Sequence, residues 1–355
     1  MELAEFDYDL PAELIAQAPP AERDGSRMLV VDRARGGWED RRFLELPSFT
    51  GSGDCLVLND SRVFPARLFG RRAGVHARPV GRGNPKRGEY LTGVVEVLLL
   101  RPVEAGGRTW QALVHPGRKM QTGEKVLFDE GLEAEVVGRG EFGERTLRFG
   151  GDGNLYEVFE RIGHVPLPPY IKRTDAAADR ERYQTVYARE SGSAAAPTAG
   201  LHFTPRVLDE CRARGAEIAS VTLDVGLGTF QPLRTTHVEE IHLHAERFRI
   251  TAENAAHMAA ARRRVAVGTT SVRAIESAMR SGGLREMSGE TDLFVSPGFE
   301  FRATGAMLTN FHLPRSSLLL LVCAFAGRDL ALAAYRHAVA ERYRFYSYGD
   351  AMLIL

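Results

Sequence analysis

Apolar residues recur along this chain with two different periods, and the change of period divides it. Between residues 93 and 150 they alternate in short runs, "GVVEVLLLRP", "TWQALVHPG", "GEKVLF", "LEAEVVG" and "ERTLRFG". Glycine-containing turns separate the runs about every 8 to 12 residues. Alternation buries one face of each strand, and turns at that spacing pair neighbours as hairpins. The pattern therefore predicts a small antiparallel β-barrel. "GRGEFG" at 138–143 matches G-x-G-x-x-G letter for letter, but an alternating strand follows it where a dinucleotide site needs a helix. It reads as a hairpin turn.

Beyond about residue 155 the grammar becomes α/β. "AEIASVTLDVG" reads as a strand, "TAENAAHMAAARRR" as a helix opened by Thr251, and "RVAVG" as a buried strand. "TTSVRAIESAMRSGG" is a helix closed by glycines, and a last helix falls near 329–342. In "APTAGLHFTPRVL", Thr204 is a good N-cap, Pro205 suits the first helical position, and Gly215 ends the segment. "GDCLVLNDSRVFPARLF" in the first 70 residues has the same strand-turn character. The expected fold is α/β: a larger catalytic domain from residues 1–70 and 151–355, with a β-barrel domain, 71–150, inserted in it. "LLLLVCAFA" at 318–326 is the longest apolar run, about half a membrane span, and reads as a buried strand or core segment.

Composition adds mainly exclusions. The formal net charge is zero, with 46 basic and 46 acidic residues, so no global field draws the chain to nucleic acid or membrane. Cys55, Cys211 and Cys323 form neither a zinc-ribbon spacing nor a disulfide framework. The acidic start "MELAEFDYDLP" has no signal-peptide character. A cytoplasmic location without membrane attachment is expected. Charge is local instead: Ser61 to Gly88 holds eight Lys or Arg and no acid. Lys172 and Arg173 stand beside Tyr170, with Tyr183 following. Such a mixture can contact phosphates and stack on bases, or be a solvated surface.

Four segments could carry chemistry. In "VAVGTTSVRAIES" a strand, a glycine and a helix start offer free N–H groups to an anion. Thr269, Thr270 and Ser271 add hydroxyls there, and Arg273 could cap the anion. In "LDVGLGTFQPLR" Gly226 and Gly228 permit close backbone approach, and Asp224 could accept from hydroxyls. In "HVEEIHLHAERF" His242, His244 and Glu246 share one face if the segment is extended. That set could bind iron or zinc, supply an acid–base pair, or be a charged solvated face. In "TNFHLPR" Asn310 and His312 precede an apolar run, as at the rim of a pocket.

Together the blocks "GDCLVLNDSRVFPARLFG", "GHVPLPPYIKR", "RERYQTVYARESGSAAAPTAGLHFT", "VTLDVGLGTFQPLR", "VAVGTTSVRAIES", "TNFHLPRSSLLLLVCAFAG" and "YRFYSYGDAMLI" resemble the S-adenosylmethionine:tRNA ribosyltransferase-isomerase (QueA) family of queuosine biosynthesis, in order and over nearly the whole chain. Two departures stand out. Residues 73–92 lengthen a segment usually short, and the usual H-K-x-H-x-E run is here "EIHLHAE", with Ile241 in place of its first histidine.

The resemblance implies transfer and isomerisation of the ribosyl moiety of S-adenosylmethionine. The acceptor is 7-aminomethyl-7-deazaguanine at the tRNA wobble position; the products are epoxyqueuosine-tRNA, adenine and methionine. S-adenosylmethionine is consumed as co-substrate, and the steps require no metal or redox cofactor. His202, Asp224, His244 and His312 are the expected proton-handling residues. Asn59, Asp60, Arg62, Gly226, Gly228, Thr229, Thr269, Thr270 and Ser271 are expected around S-adenosylmethionine. Lys172, Arg173 and Arg234 are expected at the tRNA anticodon region, on a monomer. A metal-dependent hydrolase or oxygenase built on His242, His244 and Glu246 is the enzymatic rival. A non-catalytic RNA-binding module is the other.

Overall fold

The strand Asp54–Asn59, DCLVLN, is buried at all six positions, as a strand must be when both its faces are covered. In the computed structural model, which describes residues 1–75, 93–104, 106–140, 143–226 and 235–355, this strand is central to the larger of two units. That unit comprises Met1–Arg62 and Leu167–Leu355; the smaller is Val63–Pro166.

Nine described strands of the larger unit form one mixed sheet. They are β1 (Arg27–Asp32), β2 (Gly37–Arg42), β3 (Asp54–Asn59), β4 (Glu217–Leu223), β5 (Glu246–Ile250), β6 (Arg263–Val267), β7 (Met287–Thr291), β8 (Ala306–Asn310) and β9 (Ala351–Ile354), in the order β7-β5-β4-β3-β6-β8-β9-β1-β2. The inner four, β4-β3-β6-β8, run parallel. Val57 of β3 sits between Ala219 of β4 and Ala266 of β6. Side-chain alternation splits β3 between two cores. Cys55 and Val57 pack in one core with residues of α3 (Thr269–Arg280), α4 (Ser317–Ala326) and α5 (Arg328–Ala340). Leu56 and Leu58 pack in the other with Val207, Leu208 and Cys211 of α1 (Pro205–Ala213).

Local rules explain the helices. Thr204 caps α1 by accepting from Val207 N at 3.4 Å, and Thr251 caps α2 (Ala252–Ala260) through Asn254 N. The apolar run at 318–326 is a helix, not a strand: Ser316 accepts from Leu319 N at 3.2 Å and opens α4. A helix apolar on nearly every side shows no period, and it can only be buried. Among the described residues no single helix is long and apolar enough to cross a membrane.

The smaller unit is a closed antiparallel barrel of six strands. Around it run Glu144–Phe149, Thr109–His115, Val94–Pro102, Arg67–Arg72, Lys125–Leu127 and Glu133–Arg139. Val97, Leu99, Trp110, Ala112, Val126 and Leu147 fill it. The boundaries differ from 71–150 at both ends. Arg67–Arg72 supplies a wall that closes the barrel, and Leu155 and Phe159 of the helix Leu155–Ile162 join its core. "GRGEFG" lies between two paired antiparallel strands, with Glu141 and Phe142 outside the described residues. Most of the additional segment 73–92 is likewise outside them.

Candidate active site

Open α/β sheets bind ligands beyond the carboxyl ends of their parallel strands. Here those ends are Asn59, Leu223, Val267 and Asn310, so three of the four singled-out segments, with the turn after Asn59, fall on one edge. Asn59 ties three of them. Its Nδ2 donates to Leu223 O at 3.0 Å and to Thr270 Oγ1 at 3.3 Å, while its Oδ1 accepts from Leu223 N at 3.0 Å and Ser61 N at 3.2 Å. A buried amide with every donor and acceptor used is a clamp.

The strand-to-helix turn at Gly268 has φ +89° and ψ 152°, a region open almost only to glycine. Gly268 N donates to Leu308 O at 2.7 Å, and α3 starts immediately after. Gly268, Thr269 and Thr270 line a cavity of about 40 Å³, together with Thr198, Ala199, Val225, Thr309, Asn310, His312, Tyr170, Tyr346 and Ser347. That is room for about three waters, enough for one end of a ligand. Ser271 is turned away and donates to Val267 O at 2.8 Å.

Two histidines flank this cavity. His202 does not line it but supports its wall. Its Nδ1 is 2.8 Å from Ser26 Oγ, its Nε2 is 3.2 Å from Asn310 Nδ2, and its ring packs on Phe43 at 5.2 Å. Burial pushes its pKa down to about 4. His312 lines the cavity, with Nε2 2.9 Å from Thr309 Oγ1, and burial lowers its pKa to about 3. Both rings are neutral near pH 7. Asn310 is 2% exposed, and its Oδ1 has no protein partner.

Other expected residues lie elsewhere. Asp224 follows β4, one residue before Val225, and lines a separate open cavity of about 430 Å³ with Thr222, Arg247, Arg249, Glu190 and Glu290. Burial above all raises its carboxyl pKa to about 6; Glu246 and Glu190 add to the rise, and Arg247 opposes it. Asp60 is buried, accepts from Thr222 Oγ1 at 2.7 Å, and has its pKa raised by burial. Arg62 is exposed. Neither residue lines the smaller cavity.

The His242, His244 and Glu246 constellation does not form. Residues 241–245 lie outside any strand, His242 and His244 are exposed, and Glu246 is buried at the start of β5. Glu246 instead pairs with Arg273, whose Nε donates to Leu293 O at 2.9 Å. Arg273 is thus a buried strut and not an anion cap. Among the described residues no group of three His, Cys, Asp or Glu is arranged for a metal ion.

Gly226 donates its N–H to Glu246 Oε1 at 2.8 Å; its neighbour Val225 reaches the smaller cavity, while Gly228, Thr229 and Arg234 lie outside the described residues. Arg173 is engaged by Asp179 at 2.6 and 2.8 Å. Lys172 is exposed, its backbone N donating to Gln17 Oε1 at 2.8 Å. Tyr346 and Ser347 were not singled out, although "RFYSYGD" is conspicuous for its aromatics. Ser347 hydrogen-bonds Tyr170, and the Tyr170 and Tyr346 rings meet edge-on with centroids 3.8 Å apart.

The chain matches the family described as queuosine biosynthesis protein over residues 3–354. It is 69% identical over 355 residues to the S-adenosylmethionine:tRNA ribosyltransferase-isomerase of Solibacter usitatus, covering all of both chains. It is 49% identical over 361 residues to the same-named protein of Symbiobacterium thermophilum, again over the whole of each. The crystal structure of S-adenosylmethionine tRNA ribosyltransferase from Thermotoga maritima matches 99% of this chain and 100% of its own, at 37% identity and a TM-score of 0.54. With residues at or just beyond three of its parallel strand ends lining one cavity and a family match across nearly every residue, this chain belongs to the queuosine biosynthesis protein family.

Proposed function

We propose that this chain is an S-adenosylmethionine:tRNA ribosyltransferase-isomerase, acting on 7-aminomethyl-7-deazaguanine at the tRNA wobble position. One observation carries the site assignment. Segments far apart in sequence, around Thr198, Val225, Gly268 and Asn310, meet at a single cavity beyond the parallel strand ends.

The chemistry sets three tasks. The sulfonium acidifies the adjacent 5′ carbon, and a base must take that proton. The acceptor amine, with an ordinary pKa of about 10.4, must be neutral to attack. Adenine must then leave with a proton gained, and methionine departs as a thioether. Of the four expected proton-handling residues, Asp224 offers a carboxylate that can accept the proton shed by the amine nitrogen as its new C–N bond forms. Its carboxyl, at about pKa 6, lines an open cavity of about 430 Å³, while the segment Asp224–Gly226 passes between it and the smaller cavity. That supports the amine at Asp224 and the nucleoside at Gly268. His202 and His312, held neutral, orient groups in this reading, and His244 is left at the surface.

Lys172, exposed and two residues from Tyr170 of the cavity wall, is assigned to the tRNA backbone. Arg173 supports the loop through Asp179. The enzyme works as a cytoplasmic monomer with S-adenosylmethionine as co-substrate and no metal or redox cofactor.

Incubating the protein with S-adenosylmethionine and tRNA bearing the aminomethyl base tests this. Mass spectrometry of the digested tRNA is expected to show epoxyqueuosine, with one free adenine per modified base. Salt-sensitive tRNA binding without adenine release would instead favour an RNA-binding module.

A further inference from the structure

The described lining of the smaller cavity carries no formal charge. Its polar atoms come from residues such as Thr198, Thr269, Thr309, Asn310 and Ser347, and no Asp, Glu, Lys or Arg is among its described lining. His312 is the one titratable imidazole there, and burial keeps it neutral. S-adenosylmethionine has two ends of opposite character, an ammonium and a carboxylate at the methionyl end and an uncharged purine at the other. An unpaired charge in such a place costs several kcal/mol, so the purine end is the one that fits.

The wall also presents one unmet demand. Asn310 Oδ1 is buried with no partner, and an acceptor in that state calls for a donor. On adenine's base-pairing edge the only N–H donor is the exocyclic amine. We propose that this cavity holds the amine edge of adenine and that Asn310 Oδ1 reads it. The assignment rests on S-adenosylmethionine being the substrate, as argued above.

The direction in which Asn310 points is set from behind. With His202 neutral, Nδ1–H can donate to Ser26 Oγ, which leaves the Nε2 lone pair to accept from Asn310 Nδ2 at 3.2 Å. That bond occupies one of the amide's two N–H donors and fixes which end of the amide faces His202, leaving Oδ1 of this cavity-lining residue as the acceptor without a partner. His202 is therefore a positioning residue for Asn310. The reading also gives a use to a histidine whose two ring nitrogens are both occupied and whose basicity is too low for proton transfer near pH 7.

Calorimetric titration of the full chain with adenine and with unsubstituted purine tests the proposal, since product binding requires no turnover. Adenine is expected to bind about 10- to 100-fold more tightly than purine, the cost of leaving one buried acceptor unmet. Asn310→Leu should abolish that preference, and thermal melting checks its fold; Asn310→Ser serves if the leucine variant does not fold. His202→Gln, whose Oε1 can still accept from the amide, should keep the preference that His202→Leu loses.

A wild-type protein blind to the amine, or an Asn310→Leu variant that keeps the preference, overturns the subsite. Equal losses in the two His202 variants overturn the positioning role. The outcome separates from that of the reaction itself. Wild type that releases adenine from S-adenosylmethionine with tRNA yet ignores the amine sinks the subsite alone. An adenine preference without tRNA-dependent release sinks the reaction alone.

Discussion

Glu246 joins Arg273 of α3 to Gly226 at the far end of β4. One carboxylate oxygen accepts the Gly226 N–H at 2.8 Å, and the other meets the Arg273 guanidinium; both side chains are 6% exposed. The ion pair thus fixes the start of the segment that leads into residues 227–234. Removing one partner strands a buried charge. Glu246→Ala should destabilise the larger unit by about 3–5 kcal/mol, measured by urea unfolding, with Glu246→Gln losing less because it retains an acceptor for Gly226.

Asp224 gives activity a pH limb. Its carboxyl must be ionised to take a proton from the amine, so turnover should rise with pH through about 6 and level off above it. Asp224→Asn is expected to lower turnover about 100- to 10,000-fold and to remove that limb. An unchanged limb in the variant would assign it to another group.

His202 links stability to acid. Its folded pKa, about 4, lies below the ordinary 6.5 because burial disfavours the charged ring. The unfolded chain therefore binds more protons between those values, and stability is lost as pH falls from 6.5 toward 4. His202→Asn should reduce that loss by an amount on the order of 3 kcal/mol. The comparison is made as wild type minus variant, because His312 adds a loss of the same sign. Asp224, whose pKa is raised, acts oppositely between about 6 and 3.8.

Gly268→Ala separates backbone strain from crowding. A Cβ there would meet Thr270 Oγ1 at 3.5 Å and Ala199 Cβ at 3.7 Å, ordinary contacts, but φ is +89°. The expected cost is about 1–3 kcal/mol from the backbone alone, read by thermal unfolding. Weaker S-adenosylmethionine binding should accompany it, since the turn carries Thr269 and Thr270.

Much of this was legible in the sequence where one short-range rule decides. Thr204 and Thr251 cap the helices they precede, the alternating runs close a barrel, and "VAVGTTS" is a strand, a glycine and a helix start. What failed depended on which way a side chain turns. Asp224 and Val225 are neighbours, yet they serve different cavities. His242 and His244 share a face only if their segment is a strand, and the strand begins two residues later, at Glu246. The apolar run at 318–326 had no period to distinguish helix from strand. Asn59, Asn310 and Ser347 each bond a residue more than 100 positions away, and composition carries no trace of such pairings.

The sheet's threading governs the order in which the chain can mature. β1 lies beside β9, made about 320 residues after it, and β9 is an interior strand between β8 and β1. During synthesis the barrel's residues are contiguous and can close while later ones are still being added. The main sheet must wait with a gap for its final strand. Until residues 351–354 emerge from the ribosome, β1 and β8 each leave a row of backbone N–H and C=O groups unpaired, and Tyr346 and Ser347 lack the strand that follows them in the cavity wall. Substrate binding is thereby withheld until residues 346–354 have been made and seated.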